Sequence, residues 1–99
     1  MIILAGSVRL PVDKLDEARP VMARMIAASR AEEGCIAYNF AEDVLEPGLI
    51  RIFEMFRDAE AQQVHAQSQH MKDWRAAWPA LGIGERQITH YAVSGSQKS

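Results

Sequence analysis

The segment "LIRIFEMF", residues 49–56, constrains the fold most, because its pattern predicts a strand that is largely apolar on both faces. Alternation places four side chains on each face: Ile50, Ile52, Glu54 and Phe56 on one, and Leu49, Arg51, Phe53 and Met55 on the other. A sheet with such a strand needs helices on one face and a second cover on the other. In a chain of 99 residues, we expect that second cover to be another copy of the chain.

Three other segments have strand patterns. Residues 2–10 are apolar nearly throughout, which indicates a strand that is at least partly covered on both faces. Residues 82–93, "GIGERQITHYAV", form the last predicted strand. Residues 35–42 alternate, and one side of this strand carries Ile36, Tyr38 and Phe40.

Two helical regions separate these strands. From Asp13 the apolar residues recur at three- and four-residue spacing, which predicts an amphipathic helix with Asp13 as its N-cap. Asp58 and Ser68 can cap two further helices, over about 59–67 and 69–79. The second helical region is therefore predicted to be broken at Ser68.

The order β-α-β-β-α-β predicts an α+β fold, the ferredoxin-like split βαβ unit, with a four-stranded antiparallel sheet and helices on one face. The length and the 48% hydrophobic content fit one domain over residues 1–93, followed by a polar tail at 94–99. The single cysteine, Cys35, excludes an intrachain disulfide framework and a cysteine-rich metal site.

Charge and hydropathy limit the classes of partner. Eleven Lys and Arg residues are scattered among thirteen Asp and Glu, for a formal net charge of −2, so no nucleic-acid footprint is predicted. No apolar run approaches the roughly 20 residues needed to span a bilayer, and residues 1–10 lack a signal-peptide pattern. We therefore expect a cytoplasmic protein with no membrane partner.

Glu54 and two histidines are the candidate catalytic residues. Glu54 lies on the face we assign to the helices, where burial disfavours a carboxylate unless a partner compensates; the alternative is a structural ion pair. His65 and His70 would lie about 140 degrees apart on one continuous helix, so only a break at Ser68 brings both to one pocket. His65 is the candidate base, and His70 is expected to stay neutral near a helix N-terminus; core hydrogen bonding and a solvated cap are the alternatives.

No metal or other cofactor is predicted. The His-x-x-x-His spacing is absent, a glutamine stands four residues after His65, and there is no Gly-rich nucleotide loop. A two-histidine, one-carboxylate iron site stays open as an alternative, with ligands drawn from Glu54, His65, His70 and His90.

Aromatic side chains are the candidate substrate contacts. Trp74 and Trp78 are four residues apart and continue the helical stripe that begins at His70. They could line a flat apolar pocket or pack against the sheet. Tyr38 could donate a hydrogen bond to a substrate oxygen or belong to the core.

The segments "SRAEEGCIAYNF" and "IRIFEMFRDAEAQQVHAQSQHMKDW" resemble the antibiotic biosynthesis monooxygenase family. The family pattern has a Glu-x-Gly-Cys-x-x-Tyr stretch, a strand Glu with an aromatic residue two positions on, and a helix ending in His-x-x-Ser-x-His. The matching residues are Glu32, Glu33, Gly34, Cys35, Tyr38, Glu54, Phe56, His65, Ser68 and His70.

The resemblance implies a dimeric α/β barrel, in which the open sheet faces of two protomers pack together. Members of the family include oxygenases that act on quinols and reduced polyketide aromatics without metal or flavin, haem-degrading enzymes, and an isomerase of a phosphorylated sugar. The haem-degrading branch uses an Asn in the first strand, and residues 2–10 contain none. Haem degradation is therefore disfavoured.

The sequence predicts a cofactor-independent monooxygenase that uses dioxygen on a small electron-rich aromatic such as a quinol or anthrone. His65 is the predicted base, Glu54 orients it, and Tyr38 or His70 binds the substrate oxygen. The predicted contacts with the aromatic part are Phe56, Trp74 and Trp78. The alternatives are a proton-transfer isomerase of a small carbonyl compound and a non-catalytic binding protein. A phosphorylated substrate would need a basic cluster at the pocket mouth, and the sequence shows none.

Overall fold

Four strands and three helices follow one another in the predicted order. The computed structural model describes all residues from Met1 to Ser99. Its elements are β1 (Ile2–Arg9), a 3₁₀ turn (Val12–Lys14), α1 (Leu15–Arg30), β2 (Cys35–Glu42), β3 (Leu49–Phe56), α2 (Ala59–Ala66), α3 (Gln69–Leu81) and β4 (Gly84–Ala92). The strands form one antiparallel sheet in the order β2-β3-β1-β4. The predicted ferredoxin-like α+β fold is confirmed.

The register of the sheet aligns side chains from all four strands. Glu54 on β3 pairs with Tyr38 on β2 and with Leu4 on β1, and Leu4 pairs with His90 on β4. Directly paired residues point to the same face of a sheet. The four therefore form one row across the inner face, the face that packs against the helices.

The core lies between this inner face and the helices. α1 packs against β2 and α3, and α2 packs against β3. The buried apolar side chains include Leu4, Val8, Met22, Met25, Ile50, Ile52, Phe56, Trp74 and Leu81. Glu54 is 6% exposed and shares its face with this core, so the predicted orientation of β3 is confirmed.

Side-chain caps divide the second helical region as predicted. An Asp58 side-chain oxygen accepts a hydrogen bond from the Ala61 backbone N–H at 2.8 Å, which starts α2. Ser68 Oγ accepts from the Met71 backbone N–H at 3.2 Å, which starts α3, and donates to the His65 carbonyl oxygen at 2.7 Å. Ser68 therefore ties the end of one helix to the start of the next.

Two local predictions are wrong. Asp13 is not the N-cap of α1, because it lies inside a 3₁₀ turn closed by a hydrogen bond from Lys14 N–H to the Pro11 carbonyl, and α1 begins at Leu15. Ile36 does not share the inner face with Tyr38, because the pairing of β2 with β3 shifts register beside it. Ile36 is 54% exposed.

The opposite, outer face of the sheet is more open to solvent. It exposes 37% of Phe53 and 50% of Tyr91. The chain closes on itself where Met1 and Val93 exchange two hydrogen bonds, and residues 94–99 lie outside the helices and strands. None of the helices combines the length and the apolar character that crossing a bilayer would require.

Candidate functional site

A cavity of about 480 Å³ lies between the inner face of the sheet and the helices α2 and α3. Its lining includes five of the residues predicted from the sequence to form the site: Tyr38, Glu54, His65, Trp74 and Trp78. All of these except Trp78 are buried. The row across the sheet, the last turn of α2 and the inward side of α3 thus bring the predicted polar and aromatic residues to one place.

Aromatic rings form much of the cavity wall. The centroid of the Tyr38 ring is 5.2 Å from that of Phe40, and Phe40 in turn lies 5.4 Å from Trp74. Trp74 and Trp78 meet edge to face at 5.9 Å. A wall of this kind suits a planar apolar ligand. Burial raises the pKa of the Tyr38 hydroxyl, with the Glu54 charge acting in the same direction, so the phenol keeps its proton and remains a donor.

His65 is held in one orientation by Glu32. His65 lies near the end of α2, is 1% exposed, and packs against the Phe56 ring at 4.9 Å between centroids. Its Nδ1 lies 2.9 Å from Glu32 Oε2. A carboxylate oxygen can only accept, so Nδ1 carries the proton and the neutral ring has its lone pair on Nε2.

Nε2 of His65 and Oε1 of Glu54 face each other without hydrogen bonds to the protein. The two atoms are 3.6 Å apart, which is ion-pair distance but too long for a hydrogen bond. Leaving a buried polar atom unpaired costs about 1–3 kcal/mol, and such atoms concentrate where a ligand or a reaction uses them. The orienting hydrogen bond predicted for Glu54 is therefore made by Glu32, and Glu54 lies beside the opposite nitrogen.

Burial shifts the pKa values of this pair in opposite directions. It raises the pKa of Glu54 from an ordinary 4.5 to about 7, against the lowering effect of the nearby Arg86 charge. It lowers the pKa of His65, and the hydrogen bond and charge of Glu32 offset only part of that effect. At neutral pH His65 is therefore uncharged and able to accept a proton.

His70 contacts the same carboxylate from the other side. Its Nε2 lies 2.5 Å from Glu32 Oε2, so one oxygen accepts from two imidazoles. His70 does not line the main cavity; it lies in a smaller pocket between α1 and α3. The break at Ser68 thus brings both histidines to one acceptor instead of one cavity. Phe56 also lies outside the cavity lining.

Glu32 was not among the residues singled out from the sequence, although it belongs to the quoted family pattern. It lies in the turn between α1 and β2, 33 and 38 positions away from His65 and His70. Each of these three residues offers one potential metal-ligand atom, and these atoms lie within 4.8 Å of one another. The three residues together could therefore hold a metal ion. This group differs from the iron site left open in the sequence analysis, in which Glu54 was the carboxylate ligand. His90 lines the main cavity, two strands from Glu54.

The mouth of the cavity carries a basic cluster that the sequence did not reveal. Lys72 and Arg75 come from α3 and Arg86 comes from β4, and all three are exposed residues of the cavity lining. The sequence alone showed no such cluster, and the fold brings these three residues to one cavity. The three residues come from two separate elements, so their sequence positions do not appear clustered.

Comparison with known proteins gives one family. Residues 1–77 match the model of the antibiotic biosynthesis monooxygenase family. An uncharacterized protein of Synechocystis is 30% identical over 96 residues, which cover 97% of this chain and 65% of that relative.

Solved structures share the fold. A Deinococcus radiodurans structure that carries the same family name superposes with a TM-score of 0.92 at 23% identity, covering 100% of this chain and 98% of that one. A Bacteroides thetaiotaomicron protein of unknown function, described as a possible oxidoreductase, gives a TM-score of 0.81 at 26% identity, covering 91% and 94%.

Proposed function

We propose, since the chain belongs to the antibiotic biosynthesis monooxygenase family, that it is a monooxygenase that oxidises a small electron-rich aromatic with dioxygen. Substrates of the quinol or anthrone type fit the aromatic wall of the cavity. The proposal rests on one observation above all: the buried, neutral His65 is fixed by Glu32 and presents an unpaired Nε2 at that cavity.

The proposed reaction starts with proton transfer to His65 Nε2. Removing a proton from a phenol or an anthrone methylene gives an anion electron-rich enough to reduce dioxygen by one electron. The two radicals combine into a peroxide, the imidazolium returns its proton, and the peroxide breaks down. One oxygen atom enters the substrate and the other leaves as water, with both electrons for that water supplied by the substrate.

Two other residues have roles in this proposal. Tyr38, protonated and in the cavity wall, donates a hydrogen bond to the developing oxyanion. Glu54, when ionised, stabilises the imidazolium that forms on His65 at 3.6 Å. His70 acts indirectly, because it shares Glu32 with His65 and lies outside the main cavity.

Oxygen uptake tests this function. Chelator-treated protein is assayed against a panel of quinols and anthrones, with correction for autoxidation, and compared with His65→Ala. Val64→Ala is the matched control, because Val64 is the preceding residue on α2 and is 60% exposed. We expect protein-dependent uptake that falls at least 100-fold in His65→Ala, in the range of a lost general base, and is unchanged in Val64→Ala.

Other outcomes would favour the alternatives. Loss of activity in the chelated protein, restored by a metal, would contradict the metal-free reaction and favour an ion at Glu32, His65 and His70. Turnover of a carbonyl compound that depends on His65 without oxygen uptake would favour the proton-transfer isomerase. Binding of a compound without turnover of any substrate would favour a non-catalytic binding protein.

A further inference from the structure

Lys72, Arg75 and Arg86 at the cavity mouth have no carboxylate partners. No ion pair involves any of the three, whereas most of the other basic residues form ion pairs, namely Arg9, Lys14, Arg19, Arg51 and Arg57. The cluster is therefore left with its full positive charge facing the cavity.

Arg75 is also held in place. Its guanidinium carbon lies 4.5 Å from the centroid of the Trp78 ring, a cation–π contact that restrains the side chain. Desolvation, and secondarily the charge of Arg86, lower the pKa of Arg75, which indicates that the two guanidinium groups lie near each other. A fixed guanidinium loses little freedom when it binds a planar or tetrahedral anion.

The rest of the cavity does not neutralise this charge. Glu54 is the one carboxylate in the lining, and it is buried beside His65. Its raised pKa of about 7 leaves it only partly ionised at neutral pH. The Trp78 indole N–H adds a hydrogen-bond donor that is buried and has no protein partner. The cavity thus combines an aromatic wall with an excess of donors and positive charge.

We propose that the substrate of this cavity carries an acidic group, a carboxylate or a phosphate, bound by Arg75 and Arg86 with added charge from Lys72. The aromatic part then lies along Trp74 and Trp78 with its reactive oxygen towards His65. This inference rests on the proposed function for the use of the cavity and extends it by naming the substrate class.

Calorimetric titration with stable probes tests the inference without turnover. The probes are 1-naphthoate, 1-naphthyl phosphate and the neutral 1-naphthamide. We expect one or both acids to bind about tenfold more tightly than the amide, as charge-assisted pairing gives. The tighter of the two acids identifies the group. The preference should fall to within about twofold in Arg75→Gln/Arg86→Gln and weaken with added salt.

Arg24→Gln is the matched control, because Arg24 is an exposed arginine of α1 that lacks an ion pair and does not line the cavity. It should keep the full preference. Equal binding of acids and amide, no binding of any probe at millimolar concentration, or a preference that survives the double substitution would overturn the inference. An acid preference with no oxygen uptake on any substrate would instead overturn the proposed function and leave the anion site standing.

Discussion

At the residue scale, the site depends on a carboxylate outside the regular elements. Glu32 Oε2 accepts from His65 at 2.9 Å and from His70 at 2.5 Å, and its side chain is only 13% exposed. Both imidazoles must present an N–H to it, which fixes their tautomers when neutral. In the proposed reaction Glu32 would act through His65, as a positioning residue.

Glu32→Ala should therefore change the tautomer of His65. Without the acceptor at Nδ1, the neutral ring is free to carry its proton on Nε2, where it can no longer accept one from the substrate. We expect long-range ¹H–¹⁵N spectra to show the Nδ1–H form in the wild type and a mixture in the variant, with kcat reduced about 10–100-fold and KM little changed. Glu33→Ala, whose side chain is 92% exposed, is the control; an unchanged His65 spectrum in Glu32→Ala would contradict the role.

Glu54 should set the pH dependence of the rate. The ionised carboxylate stabilises the imidazolium formed on His65, so kcat/KM should rise with pH through an apparent pKa near 7 that belongs to the pair. In Glu54→Gln this limb should disappear and the rate above pH 8 should fall about 10–100-fold. A variant whose profile still rises near pH 7 would show that another group is responsible.

The same carboxylate should affect stability. Because the pKa of Glu54 is about 7 in the folded chain and 4.5 ordinarily, the folded state retains a proton that the unfolded state loses. The stabilisation is present below about pH 4.5 and is lost as pH rises through 7, on the order of 3 kcal/mol. Urea unfolding at pH 5 and 8 should show this loss in the wild type and a smaller one in Glu54→Gln; equal losses would contradict it.

At the element scale, most features with local causes were predictable from the sequence, with the Asp13 cap as the exception. Features that depend on strand pairing were not predictable. The caps at Asp58 and Ser68 were predicted because a cap binds within its own first turn. Ile36 was misassigned because its orientation depends on a shift in the pairing with β3. The Glu32 contacts and the Arg75–Arg86 cluster depend on tertiary packing, so sequence spacing carries little signal for them.

Ser68 couples local capping to the site. Ser68→Ala removes the acceptor for the Met71 N–H and the donor to the His65 carbonyl. We expect the free energy of unfolding to fall by about 1 kcal/mol, as for other lost N-caps. Ser68→Asp retains an N-cap acceptor and should recover most of the loss in urea unfolding. Equal stability of Ser68→Ala and the wild type would show that the cap is dispensable.

At the scale of the whole molecule, the outer face of the sheet needs explanation. Register places Ala37, Met55, Ile3 and Tyr91 in one row on that face, beside a row of Asn39, Phe53, Ala5 and Thr89. All helices pack on the inner face. The outer face is apolar at its centre, where Phe53 is 37% exposed, and carries Tyr91, 50% exposed, on the edge strand β4, so it resembles an interface more than a solvated surface.

A homodimer formed through this face is the predicted arrangement, because packing two copies would bury both apolar centres at once. Light scattering at micromolar concentration should give twice the mass of one chain. Phe53→Glu places a charge at the centre of each copy and should yield the single-chain mass, whereas Val44→Glu, at a loop residue that is 96% exposed, should stay dimeric. A wild-type mass of one chain, or a dimer that tolerates Phe53→Glu, would contradict assembly through the sheet. Because the main cavity lies on the inner face, binding of 1-naphthoate to a monomeric Phe53→Glu variant would further show that the proposed site is complete within one chain.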